Sequence, residues 1–442
     1  MVCLGRHTLT GHIATAGRQD VDWSADYRLY SKGRVDTEAL FAPLRSTIVN
    51  SLEPKQPVVV SMDDTRLKKS SRKTPGVKYT RDPLGPPFRV NFILAQRFIQ
   101  LSMAWPNQEG QARMIPIDFT HAPTADKPKK DADEKAWKTY RQAQREKVLG
   151  KVGQQRLHAL RQALDEQRKG RERQLVCVVD GGYTNRTFLK ELPQRTCVIG
   201  RIRGDAKLYH LPEEQAPTGR RRIYGDDAPT PEQLRQDDSV PWRKISAHAC
   251  GKRHQFRIKT LCPLRWRATS DKCTLRLVVI APLKYRLSKK GKALYRKPAY
   301  LICTDTDMTL EDILQYYLWR WDIEVNFRDE KSLLGVGQAQ VHHPDSVQSV
   351  PALSVAAYAI LLTAALNLYG LNGNAFKLCP PKWQRYEPRR ASTQKLIAQL
   401  RNDLWGEAIH LSHFVSPSPS QAKSQKDRPP LAAALFYGAQ RA

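Results

Sequence analysis

Residues 316–335 read YYLWRWDIEVNFRDEKSLLG. Within this stretch Tyr317, Arg320, Glu324 and Lys331 are spaced 3, 4 and 7 residues apart. On an α-helix, at about 100° per residue, they fall within roughly 60° of one another. One face then presents a phenol, a guanidinium, a carboxylate and an ammonium. A surface ion-pair ladder accounts for Arg320 with Glu324 but not for the whole set. A core-facing helix would not put three charges on one stripe, and a solvated face has no need of Tyr317 and Trp321 beside them. By the same helical phase Asp322 and Asp329 lie off the stripe, and they and Glu330 are set aside.

Two further acids end apolar runs. PVVVSMDDT (57–65) contains a β-branched run at Val58–Val60, the pattern of a buried strand, with Asp64 just past it. LVCVVDGGY (175–183) repeats the pattern and stops at Asp180. Taken singly, an Asp at such a place is usually a turn residue bonding its own backbone. Carboxylates at strand ends also open into the crevice beyond the sheet, where a ligand reaches them. Asp63 and Asp64 are adjacent and point to opposite sides of a strand, so only one can be the main ligand. Together with Glu324 such acids suit phosphodiester chemistry. Two divalent metals about 4 Å apart activate an attacking oxygen and steady a leaving one, and hard cations of the Mg²⁺ type take oxygen ligands. Arg320 and Lys331 would hold neighbouring phosphates, and Tyr317 would donate to another.

The composition agrees with a polyanionic partner. Lys and Arg number 73 against 43 Asp and Glu, a formal net charge of +30 over 442 residues. Nucleic acid is the first candidate and an acidic membrane surface the second. The excess is local: residues 65–81 carry seven Lys/Arg and no acid, and 239–304 carry seventeen with Asp271 as the one acid. The eight Cys form no C-x-x-C pair, which points to free thiols rather than a zinc site. Val350–Tyr369 is apolar but interrupted by Pro351 and Ser354, so a buried core helix is expected rather than a membrane span. No leader of the signal type opens the chain.

The spacing Tyr317-x2-Arg320-x3-Glu324-x6-Lys331 resembles, without a gap, the Y-R-E-K signature of bacterial insertion-sequence transposases of the DDE class. Asp64, which precedes Thr65, looks like that family's first catalytic Asp, and Asp180, before Gly181, like its second. The resemblance covers roughly residues 55–345. It implies an α/β fold with a ribonuclease H-like mixed-sheet core, interrupted by a β-rich insertion domain and flanked by helical N- and C-terminal regions. It implies catalytic, metal-binding Asp64, Asp180 and Glu324 with two Mg²⁺ ions per site (Mn²⁺ as substitute), cut-and-paste transposition on double-stranded DNA at transposon ends and target, and a homodimer on that DNA. No membrane partner is implied, and a cytoplasmic, nucleoid-associated prokaryotic location is. Lys284, Arg286, Lys289, Lys290 and Lys292 in the basic insertion are natural phosphate contacts. Trp242 or Trp266 would serve to stack on an unstacked base, with ordinary core packing as the competing role.

The expected organisation is a helical region at 1–50 that reads DNA ends, a first part of the catalytic core at 51–204, the basic β-rich insertion at 205–300, a second part of the core with the Y-R-E-K helix at 301–345, helices at 346–411 and a mobile tail at 412–442. Residues 131–170 read as one long exposed helix, and 89–96 and 98–105 as separate strands. Two other functions use the same residues: a non-catalytic DNA-binding protein derived from a transposase, and a structure-guided nuclease with no joining step.

Overall fold

A computed structural model describes residues 1–86, 88–213, 219, 221–286, 291–371 and 390–405. Three helices come first, α1 (Leu9–Thr15), α2 (Ser24–Ser31) and α3 (Thr37–Ser51). Four strands follow, β1 (Val58–Lys68), β2 (Lys78–Arg81), β3 (Phe92–Pro106) and β4 (Ala112–His121). Helices α4 (Glu134–Glu146) and α5 (Leu149–Asp165) lead to β5 (Leu175–Val179), α6 (Arg186–Leu189), β6 (Thr196–Arg201) and α7 (Pro231–Gln236). Strands β7 (Arg243–Ala249), β8 (Lys252–Leu264), β9 (Leu275–Ile280), β10 (Lys284–Tyr285), β11 (Leu294–Tyr295) and β12 (Ala299–Cys303) come next. Four helices close the described chain: α8 (Leu310–Trp319), α9 (Asp322–Ser332), α10 (Pro344–Tyr369) and α11 (Thr393–Trp405).

Ten strands form one mixed sheet in the order β2-β3-β1-β5-β6-β12-β9-β8-β7, with β4 on the other side of β3's ladder. Its centre, β1, β5 and β6, is parallel, and the flanking pairs are antiparallel. The fold is therefore the mixed α/β class, compatible with a ribonuclease H-like core. β5 is buried along its whole length, as a central parallel strand must be when helices cover both faces. On one face Val58, Val60, Met62, Cys177 and Val179 pack with Leu44 of α3, Leu157 of α5 and Tyr358 of α10. On the other, Val59, Val176 and Val178 pack with Ile313 and Leu314 of α8.

Several local expectations change. The basic stretch after Thr65 is not all loop: β1 continues to Lys68, and Lys78–Arg81 forms β2 against β3. The two strands expected at 89–105 are one, because its alternate side chains are buried on both faces. The helix expected over 131–170 divides at Lys147–Val148, and its second half is not exposed, since Leu157, Leu160 and Leu164 recur at i, i+3 and i+7 and enter the core. Residues 205–300 supply β7, β8 and β9 to the main sheet and the small β10–β11 pair beside it. α10 is long and apolar enough to cross a membrane by length and composition. Here it packs on β4 and α3 with most of that stretch buried, as expected for a core helix. The tail at 412–442 lies outside the described residues.

α5 sits close to the sheet because Gly153 has no side chain: a Cβ there would meet Tyr183 Cε1 at 2.8 Å and Met62 Sδ at 3.0 Å. Alanine gains about 1 kcal/mol of helix propensity, but overpacking of a filled core costs about 1–3 kcal/mol. Gly153→Ala is expected to lower the melting temperature by several degrees in a thermal melt; a rise would mean the helix has room to retreat.

Candidate active site

The β1–β5 ladder pairs Met62 with Val179. Its next rung would set Asp63 beside Asp180 at the C-terminal end of two parallel neighbours. Alternation puts Val59, Ser61 and Asp63 on the α8 side of the sheet and Met62 and Asp64 on the α5 side. Asp63 accepts from the Arg320 guanidinium (3.3 Å), and the other arm of that fork donates to Glu324 (3.2 Å). One cation thus joins β1 to the start of α9. Burial pushes the Asp63 carboxyl up to about 7, the Asp180 charge adds to the rise, and Arg320 opposes it.

Asp64 is turned the other way. Its carboxylate pairs with Arg66 on its own strand, and its N–H donates to Asp63 Oδ1 (2.8 Å). Of the adjacent pair, it is therefore Asp63 that the structure brings to Arg320, Asp180 and Glu324. The Asp-Thr order favours Asp64, whereas strand phase relative to Asp180 favours Asp63. Asp180 also accepts from Gly182 N–H (2.9 Å), the bond of a turn residue.

The Y-R-E-K stretch is not one continuous helix. Trp321 N–H reaches Leu318 O (3.4 Å), Ile323 N–H reaches Arg320 O (3.1 Å) and Glu324 N–H reaches Trp321 O (3.1 Å). These i→i−3 bonds make a tight 3₁₀ joint between α8 and α9. Asp322 anchors the joint, accepting from Met114 N–H (3.2 Å) and from both arms of Arg390 (3.0 and 2.9 Å). Tyr317 therefore rides on α8, half-buried against the α8-side core, while Glu324 and Lys331 ride on α9. Lys331 is half-buried, with its ammonium 5.9 Å from the Phe327 ring centroid. Burial lowers its pKa, Glu330 opposes this, and nearby Arg66 and Lys68 add to the lowering.

Asp63, Asp180 and Glu324 are all oxygen donors, the set that fits Mg²⁺ or Mn²⁺, and the mutual repulsion of Asp63 and Asp180 is what a cation would relieve. Even so, no group of three acids, His or Cys stands ready to hold an ion among the described residues. The Arg320 guanidinium occupies the space between Asp63 and Glu324.

The remaining expected residues scatter. Lys284, Arg286 and Lys292 are exposed on and around the β10–β11 pair, whereas Lys289 and Lys290 lie outside the described residues. Trp242 is half-buried, its ring under Lys259 (4.7 Å) and Arg257 (5.5 Å), and Trp266 also packs on the main core.

Glu330, set aside on helical phase, lies directly behind the site. It is 1% exposed. Gln100, which stands opposite Asp63 in the β1–β3 register, donates its amide to Ser102 Oγ (3.2 Å) and also lowers the pKa of the neighbouring Glu330 carboxyl. Glu330 Oε1 and Gln100 Oε1 both lack a hydrogen-bond partner, and a proton on Glu330 supplies a donor they need. Ile323, Phe327 and Glu330 fall at i, i+4 and i+7, so the core stripe of α9 was legible; what was not legible is that it would accept an acid. Burial pushes this carboxyl up to about 8. The folded protein then binds an extra proton between the unfolded and folded pKa values, and stability falls as pH rises through that window. Glu330→Gln is expected to change little at pH 5 and to stabilise by on the order of a few kcal/mol at pH 9. Urea midpoints at the two pH values check this, and equal shifts at both would mean Glu330 is not held protonated.

The family model described as DDE superfamily endonuclease matches residues 1–270. That span contains β1 and β5 with their acids and ends before α8 and α9. No curated protein matches the chain. With well over half of its length matched, the chain belongs to the DDE superfamily endonucleases, a family of nuclease-type enzymes acting on DNA.

Proposed function

We propose that the protein is a DNA transposase of the Y-R-E-K insertion-sequence type, cutting at transposon ends and joining them to target DNA, and that Asp63, Asp180 and Glu324 are its metal ligands. The observation that carries this reading is the Arg320 fork, one arm on Asp63 and the other on Glu324. It links a β1 acid to the helix acid of a motif some 260 residues later, and β5 brings Asp180 to the same strand end. Divalent cations held there would activate the attacking oxygen and offset charge on the leaving one.

The chain's own residues do the rest. Arg320 keeps two carboxylates neutralised while no cation is bound. On DNA it is free to turn its planar fork to a phosphate, which it matches bidentately. Lys331, one α-helical stretch further on, holds a neighbouring phosphate, and Tyr317 donates to a third. Lys284, Arg286 and Lys292 add sequence-independent affinity. Water attacks the phosphodiester at each end of the element, leaving a 5′-phosphate and releasing a 3′-hydroxyl; that hydroxyl then attacks a target phosphodiester, whose own P–O3′ bond breaks to release the target 3′-hydroxyl. Two protomers, one for each end, suit a homodimer on DNA. The acid is placed at Asp63 rather than Asp64 because Asp64 faces Arg66 and the α5 side.

Mg²⁺ is expected to raise the melting temperature of the wild type and of Asp64→Asn by a few degrees, and not that of Asp63→Asn. The opposite pattern in a thermal shift titration would return the ligand role to Asp64. Glu324→Gln is expected to keep DNA binding and to lose on the order of 10³-fold or more in cutting DNA that carries the element's ends. Unchanged cutting removes Glu324 from the site. Binding without any nicking by the wild type would leave a DNA-binding derivative of a transposase, and cleavage of branched DNA without joining would leave a structure-guided nuclease.

A further inference from the structure

β2 and the outer end of β3 form a hairpin whose base is held by Lys69 N–H on Leu94 O (2.9 Å) and by Lys78 on Thr124 O (3.1 Å), and whose tip is exposed. Asp82 N–H closes it on Asn91 O (2.8 Å). At its tip Leu84 and Phe88 are each 89% exposed, the most exposed of the large apolar residues, and Val90, Phe92 and Tyr79 are exposed along its arms. A single exposed Leu is ordinary; five large apolar side chains on one projecting element mark a contact surface. Cations surround them. Lys68, Arg72, Arg81 and Arg89 are exposed, Arg81 stands opposite Phe92 in the strand register, and the Arg72 guanidinium lies 5.4 Å from the Tyr79 ring centroid.

The hairpin also points back to the site. β3 runs without a break from Phe92 to Gln100, the partner of Asp63. At about 3.4 Å per residue that is roughly 27 Å of strand, the length of about eight base pairs of B-form DNA. Between the two ends the charges of Arg66 and Lys68 both act on the Lys331 ammonium, and Asp82 opposes them.

We propose that this hairpin is a DNA wedge: Arg72, Arg81 and Arg89 take phosphates on either side of a groove, while Leu84 and Phe88, beyond Phe92, enter the base stack more than about eight base pairs from the phosphate at Asp63. The proposal rests on the reading that DNA lies across Asp63. A second copy of the chain fits less well, because a two-fold contact would bring the same cations face to face. A purely electrostatic DNA clamp has no use for two apolar side chains at its outermost point.

The test uses the full chain and duplexes of about 30 base pairs, one intact, one with a two-base mismatch and one with 2-aminopurine stepped along it. The wild type should brighten 2-aminopurine at one position on binding and should prefer the mismatched duplex several-fold, since that stack is already weakened. The double variant Leu84→Ala/Phe88→Ala should lose both the brightening and the preference, with an unchanged melting temperature because both side chains are solvent-exposed. Arg81→Ala/Arg89→Ala should keep the preference and show a shallower salt dependence. A double-alanine variant that still brightens the probe and still prefers the mismatch overturns the wedge. So does one that leaves DNA discrimination intact but loses self-association in sedimentation, or loses binding to anionic vesicles. Failure of the wild type to bind any duplex at low salt would instead remove the DNA reading itself, a result separable from the first because it does not involve the hairpin variants.

Discussion

Two carboxylates at the ends of neighbouring parallel strands repel each other, and the architecture around Asp63 and Asp180 follows from holding them there. Burial and the Asp180 charge both disfavour ionised Asp63, so the arrangement carries a standing electrostatic cost in the absence of a cation. Arg320 offsets part of it. Because the same guanidinium also takes Glu324, the interaction that makes the strand ends tolerable is the one that fixes where α9 begins. The 3₁₀ joint at 320–324 is the geometric consequence: a straight helix through the joint would keep all four motif residues on one stripe, whereas the tighter turn lets Arg320 reach down to β1 while Glu324 stays at the surface.

The central fold was legible because its determinants are local. Val58–Val60 and Leu175–Val179 are β-branched or aliphatic runs ending in acids, and a strand buried on both faces has no other composition to use. The Tyr317–Lys331 spacing was legible because helical phase alone sets those four side chains on one stripe. The choice between Asp63 and Asp64 was not, since Met62, Ser61 and Val60 allow either phase. The pairing of Met62 with Val179, residues more than a hundred positions apart, is what puts Asp63 rather than Asp64 in register with Asp180. The break of the 131–170 helix and the joining of the two β3 segments are likewise tertiary effects: Lys147–Val148 carries no breaker, and nothing local stops β1 at Asp64 rather than Lys68.

Glu330 shows how far a stripe argument extends. Helical phase separated Glu330 from Glu324, and that separation holds: Glu324 is partly exposed beside Arg320, and Glu330 is enclosed behind Gln100. Phase alone gave no reason for a buried acid. A carboxyl in that place is tolerable only when neutral, and a neutral carboxyl is a donor as well as an acceptor.

The polar core continues from there. Asn326 donates to Met114 O (3.0 Å) and accepts from Tyr358 (3.3 Å), Tyr358 meets Thr393 (3.3 Å), and Thr393 donates to Asp329 (2.6 Å) and accepts from Arg113 (3.2 Å). These bonds tie α9 to β4, α10 and α11 through its buried face. A greasy interface would bury α9 equally well but would let it slide or roll, because apolar contact is non-directional. Directional bonds at Asn326 and Asp329 fix the rotation of the helix about its axis, and that rotation decides whether Glu324 and Lys331 face the strand ends or turn away from them. The α9 core is therefore polar where a purely stabilising core would be apolar, because the helix has an angle to keep as well as a surface to bury.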